Sequence, residues 1–467
     1  MKEYDVVVVG GGSAGYAAAR TAAAEGGRVA VVEGGSQTGG LCILRGCMPT
    51  KALLESAHRF HAIQQAGEFG LNVSRATADW KKIQARKNRL IAGFAGYRRK
   101  QLESGRFDFY RARACFKDPH LLELTAVGRQ AVPAQIRGQT FILATGSEVA
   151  VQNLPGLAET GFITSDEAIR LARPLNSLVV LGGGAVALEF AQYFHHLGVR
   201  TTLIQRSAQV LSSQDADLAG ELTDSFHDEG LQVFLGTQLE GFAREKKGKR
   251  VLFRHQGRRR SVVAEEILYA LGRRPVVAGL GLAAAGVRVR DGAIQVKRNM
   301  QSSQPHIFAA GDVCGPFEVV HVAVAQGETA ARNALRLIRG EPVRERMDYR
   351  LKMEVVFTEP EVATVGWSEK DAARAGRAVR VAKYPFNDHG KSMIMGARRG
   401  FVKFIADAKS GEILGAQIVG PHASDLIHEM VVALHYRATV KEFMSIPHYH
   451  PTLAEILTYP AEEIAGG

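Results

Sequence analysis

Two cysteines separated by four residues are the first place in this chain where chemistry can happen. They lie in the run Gly39-Gly40-Leu41-Cys42-Ile43-Leu44-Arg45-Gly46-Cys47-Met48-Pro49-Thr50-Lys51. The spacing is too wide for a zinc-binding C-x-x-C, and no second cysteine pair or C-terminal histidine pair completes a metal set. It is short enough for the chain to fold back and join the two sulfurs. Pro49 suits the start of a following helix. That sets Cys47 near a helix N-terminus, where a thiolate is stabilised and made reactive. Four cysteines in 467 residues make no disulfide framework; the other two, Cys115 and Cys314, stand alone and read as structural thiols.

A second candidate lies near the C-terminus, in His448-Tyr449-His450-Pro451-Thr452-Leu453-Ala454-Glu455. An imidazole titrates near neutral pH, a carboxylate five residues on can orient it, and Pro451 fixes the turn between them. Taken alone, this run is an ordinary structural turn. His448 has no assigned task.

These residues need elements to position them, and the chain supplies two of one kind. Tyr4–Val9 reads as a short apolar strand, followed by Gly10-Gly11-Gly12-Ser13-Ala14-Gly15, an alanine-rich helix to about Glu25, and a strand from Arg28 to Val32 that ends on Glu33. This is G-x-G-x-x-G between strand and helix, with an acid about twenty residues on. Gly10 allows the tight turn, Gly12 admits a pyrophosphate, Gly15 lets helix and strand close up, and Glu33 accepts ribose hydroxyls.

The pattern recurs as strand Leu178–Leu181, turn Gly182-Gly183-Gly184-Ala185-Val186-Ala187, helix Leu188–Leu197 and strand Thr201–Ile204. Ala187 replaces the third glycine, and Gln205-Arg206 stand where an acid is expected. Arginine there favours a 2′-phosphate, hence NADPH over NADH. Two dinucleotide sites imply two dinucleotides, a held flavin and a diffusible nicotinamide.

At 467 residues, with 46% hydrophobic and 23% charged content, the chain is globular and long enough for about three domains. No signal or membrane-spanning segment is apparent, so a cytoplasmic location is expected. The net charge of +12 raises nucleic acid as a partner. Its densest stretch, Arg244–Arg260, reads as a solvated hairpin turning at Lys247-Gly248-Lys249, so nucleic-acid binding is not expected.

The cysteine run closely resembles the redox motif of the class I flavin disulfide reductases: dihydrolipoamide dehydrogenase, glutathione reductase and mercuric reductase. The resemblance extends from Tyr4 to Glu455. It implies an α/β fold with two Rossmann-like dinucleotide-binding domains and a C-terminal α+β dimerisation domain. The implied boundaries are 1–150 with 275–345 for FAD, 151–274 for NAD(P), and 346–467 for dimerisation. Strands Phe401–Ile405 and Ile413–Val419 and a helix around Ile427–Tyr436 would build the last.

By the same resemblance Cys42 is the interchange thiol that attacks a substrate disulfide, and Cys47 is the charge-transfer thiol beside the flavin. Lys51 lies near the reactive flavin nitrogen, with Glu189 as its ion-pair partner. Ala144-Thr145-Gly146 resembles the exit from the flavin domain and Gly272-Arg273-Arg274-Pro275 the return. Ala309-Ala310-Gly311-Asp312 resembles the second flavin signature, whose Asp binds the ribitol chain. Thr145, Gly146, Gly311 and Asp312, with Gly40, join the first glycine turn as expected flavin contacts; Gly182, Gly184, Ala187 and Arg206 are the expected nicotinamide-nucleotide contacts, and Arg273, in the return segment, is a further expected cofactor contact. His450 is the acid–base residue for Cys42, oriented by Glu455, and acts on the other subunit of a homodimer.

The implied reaction moves electrons between NAD(P)H and a small disulfide or dithiol through FAD and the Cys42–Cys47 disulfide. Its direction is set by potentials. The substrate stays open among lipoamide, glutathione and other disulfides. Tyr16 points towards lipoamide, whereas Ser13 and Arg20 stand where glutathione reductases also carry Ser and Arg. Mercury is disfavoured, since Ala461–Gly467 contain no cysteine. Two readings from other classes compete: a flavin diaphorase or transhydrogenase that does not need the cysteines, and a non-enzymatic binding or redox-sensing role using the Arg244–Arg260 hairpin.

Overall fold

The computed structural model describes residues 1–129 and 131–466. The chain divides into two compact units: Met1–Pro49 with Ala85–Val151 and Gly272–Asp348, and Thr50–Gln84 with Gln152–Leu271 and Tyr349–Gly467.

In the first unit, strand Lys2–Val9 pairs in parallel with Val29–Val32 on one side (Val6 opposite Val29) and Gln135–Leu143 on the other (Val9 opposite Leu143). Asp108–Tyr110 and Ile307–Ala309 extend the parallel part, and the Ala112–Asp118 and Leu121–Ala126 hairpin continues it antiparallel. Val6–Val9 and Val29–Val32 are buried throughout, as expected of parallel strands covered on both faces. Helices Ser13–Ala24 and Val320–Ile338 pack closely: a Cβ on Gly327 would sit 2.3 Å from the Ala14 carbonyl oxygen, so only glycine allows the approach. The exit and return segments run side by side, Ser147–Val149 antiparallel to Arg273–Pro275.

The second unit holds a parallel sheet of Gln232–Phe234, Arg200–Ile204, Ser177–Leu181 and Glu266–Tyr269, in that order. Helix Ala185–His196 follows Ser177–Leu181 through the second glycine turn. It starts three residues before the expected Leu188, because Gly184 is already its N-cap.

The basic stretch is part of a three-stranded antiparallel sheet, Thr237–Glu245, Gly248–His255 and Arg258–Ala264. Four of its nine basic side chains meet acids: Arg254 and Arg259 lie 3.0 and 3.1 Å from Glu240, Arg250 pairs with Glu245, and Lys249 with Glu266.

The C-terminal segment forms a five-stranded antiparallel sheet ordered Met353–Val356, Glu361–Gly366, Ile413–Gly420, Phe401–Asp407, Val379–Pro385. Helices Ala423–His435 and Thr458–Gly466 contribute to its core through Ile427, Met430, Ala461 and Ile464. Among the described residues no helix is long and apolar enough to cross a membrane.

Candidate active site

Cys42 lies in a single helical turn, Gly40–Leu44, and Cys47 opens the helix Cys47–Gln64. Both cysteines are half-buried. Gly46 folds the chain back between them: a Cβ there would lie 3.5 Å from the Cys42 Cα. The helix begins two residues before Pro49, which sits in the first turn, where its missing N–H has no partner to lose. Cys47 therefore stands at the positive end of an 18-residue helix, which stabilises a thiolate.

One turn further along the same helix is Lys51. Its ammonium donates to both carboxylate oxygens of Glu189, each at 2.8 Å, and lies 4.5 Å from the Phe357 ring centre. Glu189 is buried and also accepts from the Phe357 N–H at 3.1 Å.

The nucleotide cradles are bare backbone. A Cβ on Gly10 would meet the Ala144 carbonyl oxygen at 2.2 Å, and one on Gly15 would meet the Gly10 carbonyl oxygen at 1.8 Å. Gly12 and Gly40 face each other so closely that a Cβ on Gly40 would lie 2.6 Å from the Gly12 Cα. Gly12 also caps the helix Ser13–Ala24, leaving its first N–H groups for an anion. Glu33 accepts from the Gly11 N–H at 2.8 Å and the Gly35 N–H at 2.6 Å, which fixes a carboxylate with lone pairs left for hydroxyls.

Asp312 accepts from the Ser147 hydroxyl at 2.6 Å, and Arg273 donates to the same hydroxyl oxygen and to the Ser147 carbonyl, both at 2.8 Å. Gly311, with φ of 77°, holds the turn before Asp312, and its N–H donates to Gln326. Thr145 donates to the Val276 carbonyl, and Gly146 (φ 73°) accepts from the Val276 N–H. These features suit a dinucleotide flavin: a pyrophosphate against glycine backbone, a ribose at Glu33, a polyol at Asp312.

The second cradle differs in one respect. Gly182 (φ 119°) is as tight as Gly10, with a Cβ 2.4 Å from the Ala270 carbonyl oxygen. Yet that Cβ would be 3.6 Å from the Ala187 methyl. This turn has room for an alanine where the first has none. Gly184 opens onto free space, and Arg206 is exposed beyond strand Arg200–Ile204.

At the C-terminus, His450 and Glu455 are brought together: Nδ1 lies 3.0 Å from both carboxylate oxygens. The His450 side chain is 76% exposed, so it faces outward from its own chain. His448 is held instead by Glu429 at 2.7 Å.

Sequence reasoning missed three neighbours. His389 is buried 3.7 Å behind Glu455; burial pushes its pKa down, against the pull of that carboxylate. Phe357 covers Lys51. Arg98 stacks 4.2 Å from the Tyr16 ring centre, its guanidinium pulled down by burial while Tyr16 and Cys42 pull it up. Each meets its partner across a long stretch of sequence, with no local motif to mark it. Of the two lone cysteines, Cys314 is buried with its thiol donating to Gly311, and burial pushes it up to about 12, as an inert structural thiol requires.

Two glycine-turn nucleotide units followed by an antiparallel α+β segment define a flavoprotein that meets a nicotinamide nucleotide. Residues 4–327 match the pyridine nucleotide-disulphide oxidoreductase family, and 353–461 match its dimerisation domain, so the chain belongs to that family. It is 37% identical to a dihydrolipoyl dehydrogenase of Thermus scotoductus over 92% of this chain and 90% of that one. A mercuric reductase of Bacillus cereus is 30% identical over 91% of this chain and 66% of its own length. The crystal structure of LpdA from Mycobacterium tuberculosis superposes with a TM-score of 0.87 at 27% identity, covering 99% of this chain and all of that one. The protein is an oxidoreductase of the dihydrolipoamide dehydrogenase type that uses FAD and NAD(P)H.

Proposed function

We propose that this enzyme exchanges electrons between NAD(P)H and a small disulfide or dithiol through a Cys42–Cys47 disulfide. The observation that carries this is the placement of Cys47 at the first residue of a long helix, with Gly46 folding Cys42 back beside it. FAD, when bound, supplies the two-electron relay between the nicotinamide and the cysteine pair. Gly10, Gly12, Gly15, Glu33, Gly40, Thr145, Gly146, Gly311 and Asp312 would hold it, with Arg273 acting through Ser147. Gly182, Gly184, Ala187 and Arg206 would take the nicotinamide nucleotide, with NADPH preferred for want of an acid at Gln205.

Starting from the reduced pair, the Cys42 thiolate attacks one sulfur of the substrate disulfide. The substrate S–S bond breaks, a mixed disulfide forms, and the leaving thiolate takes a proton from His450. Cys47 then attacks the Cys42 sulfur, which closes the Cys42–Cys47 bond and releases the second product as a thiolate that takes its proton from solvent. Glu455 orients His450 through Nδ1 and leaves Nε2 to carry the proton. Run backwards, the same steps oxidise a dithiol.

His450 serves the Cys42 of a second copy. Its outward exposure supports this, as do Val432 (57% exposed), Tyr436 (77%), Ile446 (52%) and Tyr449 (82%) in the segment that matches the dimerisation domain. The working division is 1–150 with 275–345 for FAD, 151–274 for NAD(P) and 346–467 for dimerisation, and the expected location is the cytoplasm.

The test is anaerobic turnover with dihydrolipoamide, supplying NAD⁺ and NADP⁺ in separate runs. Reduction of either nucleotide that disappears in Cys42→Ser supports the reading. Turnover unchanged in Cys42→Ser would mean that electrons bypass the cysteine pair and would overturn it.

A further inference from the structure

Seven residues beyond Lys51 on one helix, and seven beyond Glu189 on another, the same pair of helices brings two histidines together. His58 and His196 meet edge to face with ring centres 5.7 Å apart, and His61 stacks on His196 at 3.9 Å. Seven residues are two helical turns, so these side chains share the face that carries the Lys51–Glu189 pair. Glu359 reaches the cluster from beyond strand Met353–Val356, its carboxylate 3.6 Å from the His58 Nδ1. Its backbone is fixed by Gln192, which accepts from the Glu359 N–H at 2.7 Å and donates to its carbonyl at 2.6 Å.

The cluster has polar atoms left over. His196 is 2% exposed, and its Nε2 lies 2.9 Å from Glu229, which makes Nε2 the protonated nitrogen. Its Nδ1 then carries a lone pair, is buried, and has no hydrogen-bond partner among the described residues. The His58 Nε2 is also buried and unpartnered. Neither Glu229 nor Glu359 has a lysine or arginine partner among the described residues; their ionic contacts are the histidines alone. Carboxylates set among imidazoles with no cation of their own lack a positive charge.

We propose that His58, His196 and Glu359 bind a divalent transition-metal ion of the zinc type. One ligand atom from each of the three lies within 4.8 Å of the others. Two imidazoles and a carboxylate are a zinc-type donor set, with a further position for water. Glu229 plays the carboxylate that fixes the tautomer and orientation of a metal-bound histidine. The Glu359 side chain is 42% exposed, which gives the ion a way in. The site does not depend on the redox reading, since it uses neither cysteine.

The experiment is Zn²⁺ uptake by chelator-stripped, oxidised holoenzyme, measured by equilibrium dialysis with elemental analysis, and repeated with Co²⁺ to read the visible ligand-field bands. The expected result is one ion per chain in the native protein and in Cys42→Ser. Uptake should weaken about 100-fold or more in His58→Gln and in Glu359→Gln, and about 10–100-fold in Glu229→Gln. Both ligand substitutions fall on partly exposed side chains, and flavin absorbance and circular dichroism confirm that each variant is folded. Uptake that is substoichiometric, unchanged in His58→Gln and Glu359→Gln, or abolished by Cys42→Ser would overturn the proposal.

Discussion

The Lys51 ammonium is gripped by both oxygens of the buried Glu189 carboxylate, at 2.8 Å each, across 138 residues of sequence. The pair ties the helix that Cys47 opens to the helix that follows the second glycine turn. Glu189→Gln removes the charge and keeps the shape. Because Lys51 remains partly exposed, the loss of stability should be about 1–3 kcal/mol, short of that for a fully buried pair. Urea denaturation measures this, and a reductive titration should show an altered flavin potential if Lys51 lies beside the flavin.

His450 and Glu455 make a different prediction, because one moves the proton and the other only orients the ring. His450→Gln should slow disulfide reduction by about 10²–10⁴-fold. Glu455→Gln should slow it less, and neither should change NAD(P)H oxidation by a quinone acceptor. Parallel assays of the two reactions separate a lost acid–base group from a damaged flavin site.

Glycine substitutions should divide by geometry. Gly15→Ala forces a methyl to 1.8 Å from a carbonyl oxygen, so the purified variant should hold little flavin, read from the ratio of visible to ultraviolet absorbance. Gly184→Ala meets nothing within 4 Å and has an ordinary φ of −87°. It should fold and keep its flavin, yet raise the KM for NAD(P)H, because the methyl occupies the space of the pyrophosphate.

Arg206 should set the nucleotide preference. Arg206→Ala is expected to lower kcat/KM for NADPH about tenfold, the worth of one exposed charge contact of roughly 1.4 kcal/mol, while that for NADH stays unchanged. Equal losses with both nucleotides would assign Arg206 to the common part of the cofactor.

The histidine cluster predicts a pH dependence in chelator-stripped protein. Burial, reinforced by charge on His196, pushes His58 and His61 down to about 4, and burial with His195 pushes His196 down to about 3. Each binds its proton less readily folded than unfolded. Their stabilisation is therefore complete above the unfolded value of about 6.5 and is lost as pH falls from there towards 4. Two carboxyls oppose this: burial and the carboxylates Glu229, Glu361 and Glu55 push Glu359 up, and burial pushes Glu229 up, so their share is lost as pH rises. Three imidazoles outweigh two carboxyls, and the urea midpoint should fall between pH 7 and 5, less steeply in His58→Gln.

What could be read from the sequence was local. The turn Gly10–Gly15, the acid Glu33, the second turn at Gly182 and the cysteine run each lie within about thirty residues, and hydrophobic runs bounded by glycine mark the flanking strands. Helix starts were less legible: Cys47 and Ala185 precede the expected positions because a helix is set by its capping geometry, not by the first apolar residue. Phe357 over Lys51, His389 behind Glu455 and the meeting of His58 with His196 were illegible. Each joins segments far apart in sequence, and His196 in particular looks from its neighbours like the polar end of a helix.

Passage of electrons through Cys42 and Cys47 can be followed by differential alkylation. Oxidised enzyme is treated anaerobically with one equivalent of NADPH, or NADH in parallel, then with iodoacetamide under denaturing conditions, and the modified cysteines are mapped by mass spectrometry. Cys42 and Cys47 should become alkylated only after nucleotide is added, with Cys115 and Cys314 labelled equally before and after. Labelling of Cys42 and Cys47 that does not depend on the nucleotide would contradict passage of electrons through the pair.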